Sequence, residues 1–378
     1  MIDFNLSEEQ HMLRAVAGRF VSENYSLQSH RKNAASVLGF EREHWKKFAE
    51  LGWLGLFVDE KVGGQGLTFH EVAIVIEALG RGLALEPFLS TAVLCGSLVD
   101  RADRGEQRGK LLGELVAGNL WAALAHSEDG ARFDLASVTR TIATRQGGAF
   151  RINGVKTMAL GGPSAHALIV SARLADDARG RFSLFVVDPQ APGVTMNHYP
   201  LIDYSRASDV RLRDVEVNAD AILIGEERAL DMLEEAVDFA TLASVAEALG
   251  CMETVLQLTS AHLKTRVQSG KPLGRFQALQ HRMAEMFVEV QETRSILAQG
   301  IVSLGLGEAA RKTAISAAKA YAGRAGRFVG EQGIQLHGGI GVTEEAAVGH
   351  YYKKLVLFEK LFGDCDYHID RFARGRGY

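Results

Sequence analysis

A chain of 378 residues, 47% hydrophobic and 23% charged, has the length for two or three domains and the make-up of an ordinary globular protein. Its net charge of −4 argues against a polybasic binder of nucleic acid or anionic membrane. Three scattered cysteines, Cys95, Cys251 and Cys365, argue against a disulfide scaffold or a cysteine zinc site and fit a reducing cytoplasm. Met1–Ser7 lacks the charged-then-apolar layout of a secretory signal, and no run approaches about 18 uninterrupted apolar residues, so no membrane span is expected.

From Ser7 to about Leu120 the pattern is helical. Ser7 with Gln10 three residues on reads as a capping box, with Glu8 and Glu9 in the first turn. Phe40–Leu51 repeats apolar residues at helical spacing, Val62–Leu67 is a glycine-rich loop, and Phe69–Leu79 reads as a buried helix opened by Thr68. Beyond Trp121 the period changes to two. Val138–Thr144, Phe150–Lys156, Ala167–Arg173, Phe182–Asp188, Val194–Tyr199 and Ser208–Val215 read as strands, and Asn153-Gly154 reads as a hairpin turn. After Gly225 helical periodicity returns in four long segments, about 227–267, 274–304, 308–332 and 343–375, whose short connections imply antiparallel neighbours. The expectation is an α+β chain: an N-terminal helical domain (1–120), a mostly antiparallel β domain (121–220) and a C-terminal four-helix bundle (221–378).

Two interruptions in the last third carry chemistry. In Lys264–Gln277, Arg266 closes a long helix, Gly270–Gly274 is a turn, and Phe276 with Gln277 opens the next helix. Arginine presents a fixed fork of donors to phosphate oxygens, and a helix N-terminus adds N–H groups and a positive dipole end. Taken alone, the same text also suits an ordinary helix turn with solvated charges. Gln335–Gly341 (QLHGGIG) is read as the loop between the last two bundle helices, where paired glycines let a ligand approach bare backbone. Elsewhere His126, His198 and His281 match no metal spacing. Val62–Gly66 lacks the Lys-Ser/Thr of a P-loop, and no G-x-S-x-G nucleophile elbow occurs.

With this element order, Arg266, Gly270, Gly274, Phe276, Gln277 and the QLHGG text, the chain resembles the acyl-CoA dehydrogenase family over essentially its whole length. The resemblance implies FAD held between the β domain and the bundle, with Arg266, Gln268, Phe276, Gln277, Gln335, Gly338, Gly339 and Asp364 on the cofactor and part of that set reaching the FAD of a neighbouring subunit. It implies α,β-dehydrogenation of an acyl-CoA thioester to a 2-enoyl-CoA, with electrons leaving to an electron-transferring flavoprotein. The base is a glutamate whose pKa rises on burial. The usual C-terminal position of that base, before Gly363, is Phe362. The family's second position is Glu247, the only acid between Asp238 and Glu253, on an apolar helix where a lone carboxylate is costly unless paired or functional. Glu359 is the backup. The closest branch acts on bulky or steroid-type acyl chains and assembles as a homo-oligomer or as a heterotetramer with a related subunit. The β domain departs from the family text, with Met158–Leu160 where a Trp-Ile-Thr packs on the flavin. That departure leaves open a second reading, a partner subunit that completes an FAD site without full catalysis.

Overall fold

The computed structural model describes residues 6–377, so the reading of Met1–Asn5 concerns residues outside this range. The helices are α1 (Glu8–Asn24), α2 (Leu27–Ala34), α3 (Arg42–Glu50), α4 (Phe69–Arg81), α5 (Gly96–Asp100), α6 (Gly105–Val116), α7 (Ala229–Thr265), α8 (Gln277–Ser303), α9 (Glu308–His337), α10 (Ala347–Lys360) and α11 (Cys365–Gly375). The strands are β1 (Ala122–Ala125), β2 (Ile142–Gln146), β3 (Ala149–Leu160), β4 (Ala167–Leu174), β5 (Phe182–Val187), β6 (Val194–Pro200), β7 (Arg206–Asn218) and β8 (Ile222–Ile224), with β9 (Val267–Gln268) and β10 (Lys271–Pro272) forming a separate ribbon. The chain divides into two compact units. One comprises the chain up to Lys32, Phe69–Ala84 and everything from Thr241; the other comprises Asn33–Thr68 and Leu85–Ala240.

The second unit is built on one sheet in the order β6-β7-β3-β2-β4-β5-β8, with β1 beside β4. All pairings are antiparallel except β1/β4 and β2/β4, as period-two text with short connections implies. Phe150, Ile152, Leu168, Val170, Phe185, Val210 and Val215 alternate onto its buried face. The Asn153-Gly154 pair is not the turn expected of it. The β2–β3 turn falls at Gly147-Gly148, and Asn153-Gly154 forms a bulge inside β3. Asn153 exchanges hydrogen bonds with Asp214 of β7, at 3.1 and 2.8 Å, and a Cβ at Gly154 would lie 2.5 Å from Thr141 Oγ1. The pair is used where two chains approach closely, which is the other thing a glycine in a strand does. A fully buried ammonium, Lys156 Nζ, joins β3 to the rest. It donates to Glu128 Oε1 (2.9 Å), the His126 carbonyl (3.0 Å) and Ser171 Oγ (2.9 Å). Burial opposes the charge on Glu128, but Lys156 and the N–H groups of Arg140 and Thr141 outweigh it and hold the carboxyl well below its usual range.

The first unit is helical apart from the β9/β10 ribbon. Ser7 and Gln10 form the expected capping box on α1. The bundle expectation is met by α7, α8 and α9, but the last segment is two helices, because the chain breaks at Leu361–Asp364. By length and composition α7 could cross a membrane, yet 78% of its most apolar window is buried, the signature of a core helix. Its contact with α4 is backbone against backbone. A Cβ on Gly80 would lie 2.1 Å from the Glu247 carbonyl oxygen, and one on Gly250 would lie 2.0 Å from the Glu77 carbonyl oxygen. Only two bare backbones fit there, and Cys251 Sγ lies 3.2 Å from the Gly80 carbonyl. The same crossing carries a charged network in which Arg81 and Arg294 both pair with Glu77 and Glu253.

Gly250→Ala and Gly80→Ala should each destabilise the protein by about 1–3 kcal/mol, because the new methyl meets backbone that no rotamer change moves aside. Gly18→Ala, on α1 with nothing within 4 Å, should be neutral or stabilise by roughly 0.5–1 kcal/mol. Urea unfolding of the three variants checks the contrast, and equal effects at all three positions would contradict it.

Candidate functional site

The first cluster lies where α7 ends. The helix stops at Thr265, and β9 and β10 form a two-stranded ribbon whose turn residues, Ser269 (φ 50°) and Gly270 (φ 76°), are both left-handed. That is the turn geometry whose twist suits a tight hairpin. Leu273 N–H closes the ribbon onto the Arg266 carbonyl at 2.8 Å. Arg266 and Gln268 stand exposed on it, and neither side chain makes a hydrogen bond among the described residues. Phe276 is the N-cap of α8 and caps with no side-chain hydrogen bond, so the first-turn N–H groups at Gln277 and Ala278 lack helical partners. Lys271 Nζ sits 4.2 Å from the Phe276 ring centre.

The second cluster is the end of α9. Gln335–His337 continues the helix and Gly338–Val342 is a 3-10 turn, so the QLHGGIG text is not the loop expected of it. Gly338 (φ 68°) and Gly339 are exposed, with no atom within 4 Å of an added Cβ, whereas a Cβ on Gly341 would lie 2.8 Å from the Ile334 carbonyl oxygen. Gln335 is exposed. The structure brings the two clusters together. The rings of His262 on α7 and His337 on α9 stack with centres 4.6 Å apart and planes 26° apart, and Arg282 bonds Gln332 at 3.2 Å between α8 and α9. Burial, the second imidazole and Arg266 push the His262 pKa down. The sequence reading missed this stack. The available signal was His262 four residues before Arg266, in the last turn of α7.

Glu247 is buried on α7, and its turn is the one pinned by Gly80. It is not solitary, because Lys354 Nζ of α10 lies 3.0 Å from Glu247 Oε1, with both side chains nearly enclosed. Glu359 is half-buried and held at the chain break: Oε1 accepts from Cys365 N–H at 3.3 Å, and Oε2 lies 2.8 Å from Lys360 Nζ. Asp364 is buried as the N-cap of α11, its carboxylate accepting from Tyr367 N–H at 3.0 Å.

The break itself is overdetermined. Phe362 holds φ 57°, an unfavourable conformation for a bulky residue. The Phe362 carbonyl lies 3.1 Å from His368 Nε2, and buried Lys319 Nζ donates to the carbonyls of Gly363 (2.7 Å) and Glu359 (3.2 Å). Burial pushes the Lys319 pKa down to about 7 against the pull of Glu359 and Asp364. Met158, in the β domain, is likewise left-handed (φ 54°) and part-exposed, its N–H held by Asp209 Oδ1 at 3.1 Å.

An exposed guanidinium, side-chain amides, open helix-start N–H groups and bare glycine backbone form a donor set suited to phosphates and a nucleoside, with a buried acid on the helix that leads to them. Residues 7–119, 123–215 and 230–376 match the N-terminal, middle and C-terminal domains of acyl-CoA dehydrogenase, and the chain belongs to the acyl-CoA dehydrogenase family. It is 27% identical to mitochondrial isovaleryl-CoA dehydrogenase of Pongo abelii, covering 99% of this chain and 89% of that protein. It is 29% identical to acyl-CoA dehydrogenase FadE12 of Mycobacterium tuberculosis over 90% of this chain and 89% of that one. The ChsE4-ChsE5 complex of M. tuberculosis superposes with a TM-score of 0.90 at 25% identity, covering 100% and 99% of the two chains. Acyl-CoA dehydrogenase from Geobacillus kaustophilus gives 0.92 at 26% identity with 100% coverage of both. Members of the family are FAD-dependent flavoproteins, and the donor set fits that cofactor's phosphate and adenosine part.

Lys319→Met should remove a pH-dependent contribution. Its folded pKa lies below the ordinary lysine value, so the unfolded chain binds more protons between about pH 7 and 10.5. The penalty for burying the charge is therefore full below pH 7 and is relieved as pH rises through that window. Wild-type stability relative to Lys319→Met should accordingly increase from pH 7 to 9.5 in paired denaturant melts; a flat difference would contradict the assignment.

Proposed function

We propose that this chain dehydrogenates an acyl-CoA thioester at Cα–Cβ to a 2-enoyl-CoA, with Glu247 as the catalytic base and an electron-transferring flavoprotein as the electron acceptor. The observation that carries the reading is a carboxylate enclosed on a core helix in a chain of this family. Bound FAD supplies the hydride acceptor. Glu247 takes the Cα proton, and its fixed turn against α4 means that little reorganisation accompanies the transfer. Its enclosure keeps bulk water from competing for that proton. Arg266 and the open N–H groups at the start of α8 hold the pyrophosphate, Gln268, Phe276 and Gln277 flank it, and Gln335, Gly338 and Gly339 line the adenosine part. The resemblance also assigns Asp364, the N-cap of α11, to the cofactor, and Glu359 stands as the alternative base, less suited because its oxygens are held by Lys360 and the Cys365 N–H.

Glu247 on α7 and Arg266 just past its end are 19 residues apart, roughly 28 Å at 1.5 Å per helical residue. That separation supports a homo-oligomer or heterotetramer in which Arg266 serves the cofactor of a second subunit. We place the domain limits at 1–120, 121–220 and 221–378 and the protein in the cytoplasm, consistent with three free cysteines. Structural likeness at 28% identity to the Tcur3481-Tcur3483 steroid ACAD supports a bulky, steroid-type acyl group, and likeness to the ChsE4-ChsE5 complex keeps the half-catalytic partner subunit as the second reading. Met158, strained and part-exposed where the family carries an aromatic residue, is the feature that favours it.

Glu247→Gln should retain FAD and acyl-CoA binding and lose turnover by about 10²–10⁴-fold. Anaerobic flavin bleaching over short, branched, long and steroid-type acyl-CoAs measures this. An active Glu247→Gln beside a dead Glu359→Gln would overturn the base assignment. Purification of the chain alone as a colourless protein would favour the partner-subunit reading. Separately, Arg266→Ala should lower the flavin content of purified protein while Arg275→Ala, on an exposed residue of the same segment, leaves it unchanged.

A further inference from the structure

Glu247 raises a physical difficulty. A carboxylate enclosed in a water-poor environment is driven toward its protonated form by the loss of solvation, and a protonated acid cannot accept a proton. The structure meets this with Lys354. Its Nζ lies 3.0 Å from Glu247 Oε1, and the two side chains are only 12% and 11% exposed, so little water screens the pair. Among the described neighbours on α4, α7 and α8, Glu77, Arg81, Glu253 and Arg294 pair among themselves. Lys354 is the cation seen at hydrogen-bond distance from Glu247. The two partners also stand on anchored supports. Glu247 is pinned through its own carbonyl against Gly80, and α10 is tied to α4 by Tyr351 Oη donating to the Arg81 carbonyl at 2.5 Å.

We propose that Lys354 is a positioning residue for the dehydrogenation: it keeps Glu247 ionised in its enclosed setting and fixes the direction of one carboxylate oxygen. This rests on the reading of Glu247 as the base. It adds that the base works as half of an ion pair and that a second residue, 107 positions on, sets the pH at which the enzyme turns over. Charge is the property required of the partner, so Lys354→Arg should preserve the behaviour and Lys354→Gln should not.

The test uses the FAD-loaded protein. The infrared band of the protonated Glu247 carboxyl is identified as the carboxyl signal missing from Glu247→Gln and is followed with pH. Removing an adjacent opposite charge should raise the midpoint of that band by about 1–3 pH units in Lys354→Gln, with Lys354→Arg remaining near wild type. The ascending limb of kcat/KM against pH, measured with whichever acyl-CoA of the panel bleaches the flavin fastest, should move the same way. An unmoved midpoint in Lys354→Gln would overturn the proposal. If Lys354→Gln does not fold, the reciprocal measurement decides. The Lys354 side-chain nitrogen resonance, assigned through Lys354→Arg, should titrate at lower pH in Glu247→Gln than in wild type, and an unchanged titration would count against the pair. The two failures are separable. An active Glu247→Gln removes the base assignment while the band and resonance still report on pairing, whereas a dead Glu247→Gln with an immobile midpoint removes Lys354 alone.

Discussion

The backbone contact between α4 and α7 is the constraint on which the helical unit depends. At Gly80 and Gly250 the two helices approach until carbonyl oxygen meets the space a methyl group would fill. Dispersion and burial both favour such an approach, but it tolerates no side chain, which is why a glycine serves on each helix. The contact fixes the turn that carries Glu247, and it sets the separation at which Arg81 and Arg294 bridge Glu77 and Glu253. A half-buried cluster of two cations and two anions is sensitive to geometry, since charges partly removed from water are compensated only at close range.

A second brace acts at the break between α10 and α11. Leu361–Asp364 leaves the helix, holds Phe362 in a left-handed conformation and restarts on Asp364. The deviation is stabilised from three sides, by Lys319, by His368 and by the Asp364 cap. Strain of this kind persists where neighbouring groups overdetermine it. The polar groups of this corner brace the break, and Glu359 takes part in the same bracing through the Cys365 N–H.

The end of the bundle has the opposite character. Arg266, Gln268, Gln277, Gln335, Gly338 and Gly339 lie open to solvent on supports that are themselves ordered by a hairpin, a helix start and a pair of stacked imidazoles. Rigid supports presenting open donors reduce the ordering that a ligand must impose when it binds. The enclosed acid sits on α7, and the ribbon that carries Arg266 and Gln268 follows directly from the end of that helix.

Much of this was legible in the one-dimensional text, because local rules operate over a few residues. The capping box at Ser7, the helices of the bundle, the alternating strands and the glycine-bearing segments around Arg266 and Gly338 each follow from periodicity, capping and turn chemistry. Asn153-Gly154 marks the boundary of such rules: the pair specifies a tight backbone feature, but whether that feature is a turn or a bulge depends on Thr141 and Asp214, which are near only in space. The same holds for Glu247. Its apolar neighbours along the helix announced enclosure, while its pairing with Lys354 came from a helix more than a hundred residues away. His262 and His337, Lys319 and Gly363, and Gly80 and Gly250 are likewise pairs whose members carry no local sign of each other. Periodicity reports which face of an element is buried; the partner across that face is chosen by how the elements pack.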